Sequence, residues 1–202
     1  MSTGKIIVIT GGPRSGKSTL IRLLSQKYNG VAYQEPENFP ERISKAIQAG
    51  GNSLELRLWF RNHYVKQYID AMKNREVGKY CFLDGFWLTS KPYVEAWMKD
   101  EFEREISSEF LDLDKEVLPW PDKILVLKNT KEKISKFSKD AGRAFEDSEF
   151  FLQKQLEVHK CHDDFFEKIS KDHDNIFFLN RENLDFKNNP EDLERVVKIL
   201  NI

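Results

Sequence analysis

Lys5-Ile-Ile-Val-Ile-Thr10 runs directly into Gly11-Gly-Pro-Arg-Ser-Gly16-Lys17-Ser18, and this junction decides the fold. The first part is an unbroken β-branched run, the pattern of a strand buried on both faces. The second matches G-x-x-x-x-G-K-[S/T] at every defined position, and Leu20, Ile21, Leu24 and Tyr28 follow at helical spacing. Strand, glycine loop and amphipathic helix in that order form a phosphate cradle. The glycines let the backbone curl so that N–H groups face phosphate oxygens, and the helix starting near Lys17 adds its positive dipole end. Gly11, Gly12, Pro13, Arg14, Ser15, Gly16, Lys17, Ser18 and Thr19 are therefore the expected ATP-binding set, with Lys17 reaching the β and γ phosphates and Ser18 ligating Mg²⁺.

Downstream, short apolar runs alternate with helical patterns. Strands are expected at Val31 to Gln34, Tyr80 to Leu83, Lys123 to Leu127 and Asn175 to Leu179. Helices are expected at about Glu41 to Ala49, Leu54 to Lys73, Tyr93 to Leu113, after Asn129-Thr130, Ser148 to Lys171 and Pro190 to Leu200. Such alternation predicts one α/β domain over 1–202, its parallel sheet covered by helices on both faces.

Composition fits this reading. Of 202 residues, 40% are apolar and 32% charged, which supports a packed core and excludes disorder as the main state. The formal net charge of −1 argues against a protein coated in nucleic acid. Cys81 and Cys161 make no disulfide framework, and no stretch approaches 18 consecutive apolar residues. A reducing cytoplasmic compartment and no membrane span are expected. Charge is uneven, however: Met98 to Val117 carries three basic and eight acidic residues, net −5, and Lys128 to Arg143 six and two, net +4.

Two carboxylates stand where a parallel sheet presents chemistry, at carboxyl ends of strands beside the loop: Glu35, before Pro36, and Asp84, before Gly85. One is expected to hold Mg²⁺ and the other to take a proton from an acceptor hydroxyl; Asp84 is assigned the metal and Glu35 the proton, and the reverse assignment stays open. The guanine motif of switch GTPases is missing from Leu127-Lys128-Asn129-Thr130-Lys131-Glu132. The basic segment with its Gly142 hinge forms an expected lid over about 136–149, with Arg143 as its cation. His159, Cys161 and His162 share a helix, where positions two residues apart face apart, so the three are not expected to converge on one metal ion. Trp59, Phe60 and Tyr64 read as packing or as a base-stacking wall, and Trp87 and Tyr93 as a lining for the acceptor pocket or as core.

Taken together, Glu35-Pro36, the helix with Arg57, Arg61 and Gln67, the strand ending at Asp84, Pro121-Asp122, Gly142-Arg143-Ala-Phe145-Glu146 and Leu156 to Phe165 resemble the deoxynucleoside kinase and thymidylate kinase group of P-loop kinases, over nearly the whole chain. The resemblance implies five parallel strands in order 2-3-1-4-5 and transfer of the ATP γ-phosphate to a nucleoside or nucleoside monophosphate. It implies Glu35 as base, Lys17 and Arg143 as catalytic cations, and Glu35, Arg57, Arg61, Asp84 and Glu146 around the acceptor, with Glu146 near the sugar. A homodimer is left open. Where the group usually places arginine after the third-strand carboxylate, this chain has Gly85, so Arg57 or Arg61 is expected to supply the missing cation. A kinase of another hydroxyl acceptor, such as a modified base or ribosyl cofactor precursor, and a regulatory P-loop ATPase are the alternatives.

Overall fold

The computed structural model describes residues 4–36, 38–48, 53–140 and 149–202, with the backbone alone for 138–140 and 149–151. Five strands, β1 (Ile6–Thr10), β2 (Val31–Tyr33), β3 (Cys81–Asp84), β4 (Lys123–Lys128) and β5 (Ile176–Asn180), form one parallel sheet in the order β2-β3-β1-β4-β5. The expected architecture and strand order hold. Among the described residues seven helices connect the strands and an eighth follows the last: α1 (Lys17–Lys27), α2 (Glu41–Gln48), α3 (Leu54–Glu76), α4 (Lys91–Trp97), α5 (Glu101–Val117), α6 (Lys131–Asp140), α7 (Glu149–Ile169) and α8 (Pro190–Leu200).

Side chains alternate along β1, and each set enters a different core. Ile6 and Val8 join Tyr68 and Ala71 of α3 and Phe166 of α7, whereas Ile7 and Ile9 join Leu20, Ile21 and Leu24 of α1 and Val196 and Leu200 of α8. A strand sealed on both faces needs the continuous apolar run seen in the sequence, and each fully buried Ile or Leu contributes about 1.5–3 kcal/mol.

Most bounds shift by one to three residues, and one expected helix is divided. The single helix expected over Tyr93 to Leu113 is instead a 3₁₀ turn (Trp87–Ser90) followed by α4 and α5. Asp100 causes the break, since its carboxylate accepts from Glu103 N at 2.9 Å and so caps a new helix rather than continuing the old one. Trp87, weighed for the acceptor pocket, lies fully buried against Phe86 and Trp120, at 5.2 and 5.9 Å between ring centroids, and belongs to the core.

Candidate active site

Parallel strands put all their carboxyl ends on one edge, and the register sets what meets there. Ile9 of β1 pairs with Asp84, and Leu83 with Tyr33, so Glu35, the phosphate loop and Asp84 come from neighbouring strands. A cleft of about 840 Å³ runs along this edge. Residues 13–19 of the loop form its middle. On one side stand Glu35, Phe39, Arg57, Phe60, Tyr64 and Tyr93, and on the other Lys133, Lys136, Phe137, Arg181 and Phe186.

Gly16 takes φ +87° and Arg14 φ +60°, giving the loop its left-handed bends. Lys17 Nζ donates to Gly11 O at 3.2 Å and Gly12 O at 3.3 Å and lies 3.7 Å from Asp84 Oδ1. Burial opposes charge on Lys17, but Asp84 and then Glu35 outweigh it and hold the ammonium above its ordinary pKa. Burial pushes the Asp84 carboxyl up to about 6; Lys17 pulls it down and Glu35 adds to the rise. Ser18 Oγ donates to Asp84 Oδ2 at 3.0 Å, while Asp84 Oδ1 accepts no hydrogen bond among the described residues. Two adjacent hard oxygen donors, one with a buried lone pair to spare, fit Mg²⁺, which when bound would neutralise phosphate charge.

Glu35 is held from the other side: Tyr64 Oη donates to Glu35 Oε1 at 2.5 Å. Burial, and after it Glu35, drives the Tyr64 pKa well above its ordinary value, so the phenol remains a donor. Gly85 makes room for this arrangement. Its φ is +83°, and a Cβ there would come within 2.9 Å of Thr89 Oγ1 and 3.2 Å of Tyr64 Cε1. An arginine at this position would therefore be strained and would crowd the partner of Glu35.

The two candidate arginines part company. Arg57 is 8% exposed, its guanidinium sits 5.3 Å from the Phe60 centroid and 5.1 Å from that of Tyr93, and its Nε has no hydrogen-bond partner among the described residues. Arg61 does not reach the cleft. It grips Asp114 of α5 through Nε to Oδ2 at 2.7 Å and Nη2 to Oδ1 at 2.5 Å, with Phe110 beneath it at 4.9 Å. Of the aromatic stripe, Phe60 and Tyr64 line the cleft, while Trp59 stacks on His63 and meets Phe39 at a tilt. Gly142, Arg143 and Glu146 lie outside the described residues.

Three cleft features escaped the sequence reading. Tyr64 was weighed only as an aromatic. Phe186 stacks beneath Arg181, 4.4 Å from its guanidinium carbon. Arg181 stands one residue past β5, the same strand-end position that singled out Glu35 and Asp84, and that signal would have found it.

A family model described as an AAA domain matches residues 6–162. The chain belongs to the AAA_28 family. Adenylate kinase isoenzyme 1 of Homo sapiens is 25% identical to this AAA_28 chain over 155 residues, 77% of the chain and 75% of the relative. Three solved structures share its fold. Deoxyadenosine kinase from M. mycoides, with dCMP and dCDP, superposes at a TM-score of 0.75 with 19% identity, over 97% of this chain and 98% of that one. Thymidylate kinase from Candida albicans gives 0.71 with 20% identity, covering 97% and 92%. NadR in complex with NR gives 0.61 with 18% identity, covering 99% of this chain and 52% of that one.

Proposed function

We propose that this AAA_28 chain is a Mg²⁺- and ATP-dependent phosphotransferase that moves the γ-phosphate to the hydroxyl of a nucleoside or to a phosphate oxygen of a nucleoside monophosphate. The observation that carries this reading is the shape of the cleft: one cavity passes the phosphate loop on both sides, with a carboxylate and an aromatic wall on one flank and a basic and aromatic flank opposite. Glu35 takes the proton of a hydroxyl acceptor and Tyr64 orients Glu35, Lys17 neutralises the transferring phosphate, and Ser18 with Asp84 serves the metal. By resemblance to the deoxynucleoside and thymidylate kinase group, Arg143 is assigned a further cationic role and Glu146 a role at the acceptor sugar. Arg57 favours a monophosphate among the acceptors, because a buried cation with an unpartnered Nε is compensated by an anion on the ligand. A ribosyl cofactor precursor is the second reading, supported by the fold shared with NadR, which was crystallised with NR.

Coupled ATP turnover across nucleosides, their monophosphates and NR tests all of this. Turnover should require an acceptor, and Arg57→Met should raise KM for monophosphates far more than for nucleosides. Equal turnover with and without every acceptor would make the chain a regulatory ATPase.

A further inference from the structure

A phosphate loop that aims its N–H groups inward turns carbonyl groups outward, and those acceptors need donors from elsewhere. Gly12 O takes one from Ser15 N at 3.3 Å, within the loop. Two further donors come from distant elements. His159 Nε2 meets Pro13 O at 2.7 Å, and Arg181 Nη1 donates to Ser15 O at 2.6 Å. His159 stands on α7 and is 4% exposed, pressed so closely under the loop that a Cβ on Gly12 would lie 2.5 Å from its Cγ. Gly12 does not have a positive φ, so the missing side chain there serves the approach of the imidazole rather than a backbone bend. At Gly16 a Cβ would fall 1.7 Å from Arg181 Nη1. One turn beyond His159, His162 Nε2 lies 2.8 Å from Oγ1 of Thr10, the last residue of β1, so α7 grips the chain on both sides of Gly11.

We propose that His159 is a positioning residue of the phosphate loop: its Nε2–H holds the Pro13 carbonyl outward and keeps the inward N–H groups set for a polyphosphate, with Arg181 doing the same at Ser15. This rests on the reading that the loop takes the phosphates of ATP. A carbonyl only accepts, so the hydrogen is on Nε2, and burial, which lowers the pKa of this ring to about 4, keeps it neutral. His159 is not among the residues lining the cleft, so its effect on the nucleotide passes through the loop.

The test compares His159→Phe, which keeps a flat ring and removes the donor, with His159→Gln, whose amide restores one. Binding of tripolyphosphate and of adenosine is measured separately by calorimetry, beside the melting temperature and steady-state kinetics with ATP. His159→Phe should weaken tripolyphosphate about tenfold, a little more than the worth of one neutral hydrogen bond, and leave adenosine binding unchanged. KM for ATP should rise while kcat at saturation changes little, and His159→Gln should recover most of the loss. Parental tripolyphosphate binding in His159→Phe, or equal loss of both probes, would overturn the proposal. If His159→Phe does not fold, the same probes are read on His159→Met. Failure of tripolyphosphate to bind the parent would instead overturn the phosphate-loop reading itself.

Discussion

Glu35 and Asp84 are both carboxylates at the ends of adjacent strands, yet their surroundings differ in kind. Asp84 is 2% exposed beside a lysine and a serine hydroxyl, whereas Glu35 is only partly buried, with Tyr64 as its donor. The first environment suits a fixed ligand and the second an oriented base that meets an incoming hydroxyl. Replacing Glu35 by Gln keeps the side-chain size and removes the basic oxygen. ATP binding should survive, and turnover with a nucleoside acceptor should fall by roughly 10²–10⁴. Single-turnover rates beside ATP titrations check this. A loss confined to ATP affinity would exchange the roles of Glu35 and Asp84.

Between elements, the Arg61–Asp114 pair ties α3 to α5, with side chains 19% and 7% exposed. The acidic segment from Met98 to Val117 thus spends one of its carboxylates on a buried contact. Asp114→Ala leaves a guanidinium largely buried without its partner and should lower stability by about 3 kcal/mol, the lower end for breaking a buried pair. Urea denaturation measures the loss. In the folded enzyme kcat and acceptor KM should stay near parental for both Asp114→Ala and Arg61→Ala. A rise in acceptor KM for Arg61→Ala at unchanged stability would return Arg61 to the acceptor site.

For the whole molecule, the two histidines of α7 link folding to pH. Burial lowers the pKa of His159 from 6.5 to about 4, and burial lowers that of His162 as well. Between those values the unfolded chain binds more protons than the folded one, so this contribution is complete above pH 6.5 and is lost as the pH falls toward 4. For His159 alone it amounts to about 3 kcal/mol. Asp84, raised to about 6, acts with the opposite sign over part of the same window, so the useful quantity is the difference between parent and His159→Gln. That difference in urea stability should shrink as pH is lowered from 7.5 to 5. A difference independent of pH would mean that His159 titrates as it does in the unfolded chain.

What the sequence determined by itself was the sheet, the phosphate loop and the two strand-end carboxylates. These depend on short-range pattern: a β-branched run, glycines at fixed spacing, an acid where a strand stops. The break at Asp100 was legible in principle, since an N-cap is also local, but it was hidden by helical patterns on both sides. Tertiary structure alone decided that Arg57 enters the cleft and Arg61 leaves it, although both stand on α3, because the direction of each is set by which helix packs alongside. It alone brought His159 to Pro13, 146 residues away, and Arg181 to Ser15, 166 residues away. Such contacts join elements whose positions come from the crossovers of the whole sheet, and no local pattern in either partner encodes the other.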